Sequence, residues 1–110
     1  DLGLAWFEQT GLPFVFATWL GSETIKPSLV QRASMLLDRQ LRCNKHRMEQ
    51  VVSTYAPERG WDVEVANTYL TECIQYSFKD KHRHSLELFY SLACTVGALK
   101  EPKQLRFFGE

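Results

Sequence analysis

Three histidines, three cysteines and one hydroxyl inside an apolar run are the side chains from which chemistry could be built in this chain. Imidazole is a common zinc ligand, so His46, His82 and His84 raise a metal site first. The spacing opposes it. His82 and His84 are two residues apart, which on a helix turns them about 200° from one another. Lys81 and Arg83 add positive charge that repels a cation. No metal is assigned, and a solvated helix start is the reading the charges favour. The same cluster, Lys79, Lys81, His82, Arg83 and His84, could instead meet an anion at a helix N-terminus, where half-protonated histidines would make binding pH-sensitive.

Cys43, Cys73 and Cys94 are odd in number and form no Cys-x-x-Cys pair. Reduced structural thiols in a reducing cytoplasm fit this usage better than a disulfide framework. No histidine or cation is placed to stabilise a thiolate, so none is read as a nucleophile. Ser-His-Asp and Gly-x-Ser-x-Gly patterns are absent, which leaves hydrolase chemistry without support. Arg32, Arg39, Arg42, Lys45 and Arg47 form a basic helical face, diluted by Asp38 and Glu49. Without a phosphate loop or an aromatic-plus-basic platform, it reads as solvated rather than as a nucleic-acid interface.

The hydroxyl is Thr18, within Phe14-Val15-Phe16-Ala17-Thr18-Trp19. If buried, it must bond to backbone or to a ligand. Trp6, Phe7, Phe14, Phe16 and Trp19 read mostly as core, yet strand ends in open α/β folds are where ligands bind. Thr18, Phe16 and Trp19 are therefore the candidate substrate-binding residues, and no catalytic residue can be named.

The elements that must hold them follow from periodicity. Leu2, Ala5 and Trp6 recur at helical spacing, Gly11 can end that helix in a left-handed conformation, and Pro13 prevents its continuation. Phe14 to Trp19 reads as a strand apolar on both faces, as in a mostly parallel sheet. Pro27 opens a helix whose stripe is Leu29, Val30, Ala33, Leu36, Leu37 and Leu41. The polar interval Arg42 to Arg47 is expected to bend or break it, before Met48, Val51, Val52 and Tyr55. Pro57 should end that stretch, reinforced by Gly60. Asp62 can cap a helix with Val65, Ala66, Tyr69, Leu70 and Cys73 on one face. Ile74 to Phe78 suits a short strand or plain extended chain. Asp80 or Ser85 begins a last helix with Leu86, Phe89, Tyr90, Ala93 and Val96 inward, stopped by Gly97 and Pro102. Leu105 to Phe108 is a terminal strand or apolar anchor.

With 110 residues, 45 % of them hydrophobic, the chain can bury a small core. Thirteen basic residues balance thirteen acidic ones, which argues against nucleic acid and an acidic membrane surface as partners. No apolar stretch is long enough to span a membrane. The start at Asp1, inside a helical pattern and without methionine, suggests a piece of a longer protein.

Asp1-Leu2-Gly3, Trp6, Thr10-Gly11-Leu12-Pro13-Phe14-Val15-Phe16-Ala17 and Trp19 together resemble the lobe-crossing segment of the chorismate dehydratases, enzymes of the futalosine route to menaquinone. Tyr69-Leu70-Thr71, Ile74 and Tyr76, then Leu88-Phe89-Tyr90, Ala93 and Gly97, look like the family's later helices. The likeness covers nearly all of this chain but only about the second half of the family. It implies an α/β fold: the helix-rich C-terminal part of a two-lobed, type 2 periplasmic-binding-protein-like domain, with few strands. Residues 1–110 would be one segment, with 1–20 the lobe-crossing helix and strand and 27–110 mostly helical.

The resemblance further implies a cytoplasmic lyase that dehydrates chorismate to 3-[(1-carboxyvinyl)oxy]benzoate with no metal or organic cofactor. Its catalytic residues would lie outside this segment, which alone would be inactive. Phe7 and the basic stretch Lys79 to His84 depart from the family pattern. Two alternatives stand beside it: a non-catalytic solute-binding module of the same fold, and a free-standing helical interaction domain. A doubly apolar strand without its sheet should also make the isolated segment self-associate.

Overall fold

Asp1 starts the first helix by accepting the Leu4 N–H on its side chain at 2.9 Å, which satisfies one of the donors that a helix N-terminus leaves open. Helix α1 spans Leu2–Thr10. It ends as expected at Gly11, whose φ of 69° lets its N–H bond back to the Phe7 carbonyl. The computed structural model describes residues 1–101 and 104–108. They fall into two compact units, Asp1–Gly21 with Ser77–Glu110, and Ser22–Tyr76.

In the first unit, residues 13–20 follow α1 as irregular backbone rather than the expected strand, and there is no strand among the described residues. A strand exists only by pairing its amides and carbonyls with a neighbour, and no described segment offers that ladder. Gly3 accommodates the aromatic run: a Cβ there would lie 2.9 Å from Phe16 Cζ. Helix α5, Asp80–Thr95, completes this unit and begins at the earlier of the two expected starts. Gly97, at φ 75°, follows its end, while Pro102 lies outside the described residues.

The inward face of α5 differs from expectation. His82 and Ser85 are buried, Leu86, Tyr90 and Ala93 are half-buried, Phe89 is exposed, and so is Val96 just beyond the last turn. Spacings of three and four place His82, Ser85 and Phe89 on one stripe. Leu105 to Phe108 is an anchor rather than a strand. Phe107 packs 5.5 Å from Phe78 and lies 4.0 Å beneath the Arg83 guanidinium.

The second unit holds the remaining helices: α2 (Pro27–His46), α3 (Met48–Glu58) and α4 (Val63–Thr68). Pro27 occupies the first turn of α2, where its missing N–H costs nothing. The polar interval breaks the helix at Arg47, whose φ of −122° is not helical. The apolar stripe of α2 stays open, with Leu29, Leu36 and Leu37 exposed and no residue buried.

Pro57 does not end α3; it sits within the last turn, one residue before Glu58. A proline there gives up its own backbone bond, and with only Glu58 after it any bend displaces no further turn of this helix. The stop comes at Gly60, φ 69°, where Gly60 N–H bonds the Pro57 carbonyl and Trp61 N–H the Ala56 carbonyl. Asp62 then caps α4 as expected, accepting from Glu64 N–H at 2.9 Å and Val65 N–H at 3.0 Å. The helix continues as a π turn, Tyr69–Cys73, closed by Ile74 N–H on the Tyr69 carbonyl at 3.1 Å. That wider turn takes Cys73 off the face shared by Ala66 and Leu70, and Cys73 is exposed. Val52, Ala56 and Ala66 form the core of this unit, with Met48 and Leu70 packed against them. No described helix is long and apolar enough to cross a membrane.

Candidate functional site

The segment carrying the expected substrate contacts is held at one end only. Trp6 of α1 meets Phe14 edge-on at 6.0 Å and Phe89 of α5 at 5.7 Å, and Phe14 meets Phe89 at 5.9 Å. Each approach is tilted or T-shaped, the geometry that ring quadrupoles favour. Trp6 also donates its indole N–H to the Ser85 hydroxyl at 2.9 Å, joining residues 79 apart in sequence. Phe16 stacks edgewise on Phe14 at 4.8 Å and is nonetheless 75 % exposed.

Beyond Phe16 the packing ends. Thr18 is exposed, so solvent rather than a buried partner satisfies its hydroxyl. Trp19 and Leu20 are 83 % and 92 % exposed. The structure thus brings Phe16 onto the aromatic cluster and leaves Thr18 and Trp19 on open chain.

Two residues of α5 carry more than the sequence suggested. His82 is not part of a solvated helix start; it is 6 % exposed, and its Nδ1 accepts the Lys79 N–H at 2.9 Å. Its ring lies 5.7 Å from Phe78. The third residue of a helix can reach back to the N-cap amide, and counting three from the Lys79–Asp80 boundary would have found it. Ser85 is 2 % exposed because it receives the Trp6 indole. Its signal was its place one turn after His82 on the stripe that leads to Phe89. His84 is exposed. Among the described residues no three His, Cys, Asp or Glu side chains converge on a metal position, and all three cysteines are free thiols.

The second unit contains a groove of about 370 Å³ between α3 and the α4–π-turn segment. Its buried lining is Val52, Ala56 and Ala66, and its aromatic walls include Trp61 and Tyr69, 5.6 Å apart. Arg59 is the single charged lining residue. Its guanidinium sits 5.5 Å over the Tyr55 ring, and Nη1 donates to the Tyr55 carbonyl at 3.4 Å, a long bond. Nearby, the Tyr76 hydroxyl donates to the Leu70 carbonyl at 3.2 Å. Burial, with a smaller contribution from Tyr69, raises the Tyr76 phenol above its ordinary value, so it stays a neutral donor.

Residues 1–95 match a protein family described as menaquinone biosynthesis. The chain is also 29 % identical over 92 residues to the chorismate dehydratase of Campylobacter jejuni subsp. jejuni serotype O:23/36 (strain 81-176). That alignment covers 81 % of this chain and 38 % of the relative, so the chain spans well under half the length of the curated protein it matches. No solved structure matches the chain. The family match takes in α1, the aromatic segment, all of the second unit and α5, and on that extent the chain belongs to the menaquinone biosynthesis family.

Proposed function

We propose that this chain is the C-terminal part of a chorismate dehydratase, a cytoplasmic lyase that converts chorismate to 3-[(1-carboxyvinyl)oxy]benzoate and water. The observation that carries the reading is the family match over residues 1–95 together with the similarity to a chorismate dehydratase. Such an elimination removes a proton and a hydroxyl from the ring of a dicarboxylate. It needs a base, an acid for the departing hydroxyl, and donors for two carboxylates.

In this reading the two-lobed periplasmic-binding-like fold is completed by chain outside residues 1–110, which also brings the base and the acid. Thr18 offers a hydroxyl to one substrate carboxylate, and Phe16 and Trp19 pack on the ring. Thr18 is exposed rather than buried, so its assignment rests on access alone: a ligand can reach all three residues. No cofactor and no nucleic acid take part.

The test is chromatography of chorismate incubated with the whole protein that carries this chain. Enol-ether benzoate should accumulate, and Thr18→Val should raise KM about tenfold, the size of one lost hydrogen bond to a charged group. Saturable chorismate binding without product would replace the lyase by a solute-binding relative. Neither product nor binding would remove the reading altogether.

A second expectation concerns the chain by itself. With Phe16, Trp19 and Leu20 open to solvent, the isolated 110 residues should self-associate in light scattering. A monodisperse monomer with one sharp melt would favour a free-standing helical domain instead.

A further inference from the structure

We infer that the α3–α4 groove of the second unit binds a planar aromatic carboxylate at a site separate from Thr18, Phe16 and Trp19. Three observations converge on it. The groove's volume, about 370 Å³, falls in the range that holds small ligands. Its buried lining of Val52, Ala56 and Ala66 is made of small apolar side chains, which leave room for a flat body beside the Trp61–Tyr69 pair. The π turn Tyr69–Cys73 begins at one wall, and such wide turns recur at functional sites.

Charge sets the class of ligand. The Arg59 guanidinium meets Tyr55 through ring and carbonyl, and no carboxylate pairs with it among the described residues. A guanidinium at the edge of an otherwise apolar groove complements an anion whose remaining surface is apolar. Its planar fork matches a carboxylate with two parallel N–H bonds. Trp61 and Tyr69 favour an aromatic body over an aliphatic one, because their tilted rings give a third ring edge-on and offset contacts.

The probe is 2-naphthoate, titrated by calorimetry and by amide and indole NMR into the whole protein that carries this chain. Saturable shifts at the Trp61 indole are expected. Arg59→Gln should weaken binding about tenfold, as should replacing the probe by neutral 2-acetylnaphthalene of the same shape. Ala66→Leu, which fills the groove, should abolish it. Absence of saturable shifts at Trp61 overturns the proposal, and so does equal affinity of Arg59→Gln and the parent for the probe. Chorismate turnover is not read in this titration, so the groove can fail while the dehydratase reading stands, and the reverse.

Discussion

Trp6→Ala is expected to lower the stability of the unit built from α1 and α5 by about 3 kcal/mol, the lower end of the range for deleting a large aromatic. Trp6 is only half-buried, which sets the lower end. What it holds together is disproportionate to its burial. The indole is the common neighbour of Phe14 and Phe89, and its N–H is the partner of a hydroxyl with almost no access to solvent. Removing it leaves Ser85 without that donor and opens the edge-on ring contacts. Trp6→Phe separates the two losses: the rings repack while the hydrogen bond goes, for about 1 kcal/mol. Denaturant midpoints followed by circular dichroism, with hydrogen exchange of the α5 amides, read both. Unchanged α5 protection in Trp6→Ala would show that α1 and α5 are held by something other than this cluster.

Val52→Asp should unfold the Ser22–Tyr76 unit. Val52 is 2 % exposed, and the buried core around it is completed by just two alanines. Placing a carboxylate there without a partner costs several kcal/mol, comparable to the whole stability of a small unit. Val52→Ala is the graded control, losing about 2 kcal/mol of burial and packing. The measurement is hydrogen exchange of α3 and α4 amides, together with the loss of contact between Trp61 and Tyr69 in NMR spectra. If Val52→Asp retains native protection in α3, the core is not where the burial places it.

Much of the helical framework was legible because its signals are local. Gly11 ends α1, Pro27 opens α2, and Asp62 caps α4; each needs only its own neighbours to act. The break between α2 and α3 followed from the polar interval up to Arg47. Features that depend on distant chain were harder to read. The apolar run Phe14 to Trp19 has strand composition, yet a ladder requires a second segment, and irregular backbone is what remains without one. His82 looked solvated because its neighbours are charged, whereas its burial is decided by Phe78 and by the amide three residues back. Ser85 became a core residue only through a tryptophan 79 positions away. Of the candidate site, the sequence pointed to the aromatic segment and its exposed Thr18. It was silent on the groove, because Tyr55, Arg59, Trp61 and Tyr69 come together only when α3 folds against α4.

The π turn after α4 has a bearing on how this part of the chain can vary in length. A bond from residue 74 to residue 69 encloses one more residue than the α-helical bond would. A chain with one residue fewer between Asp62 and Tyr76 could close the same stretch as ordinary α-helix, keeping the Asp62 cap and the burial of Ala66. The wide turn therefore acts as slack in the helical pitch: a residue lost there is taken up within the turn itself.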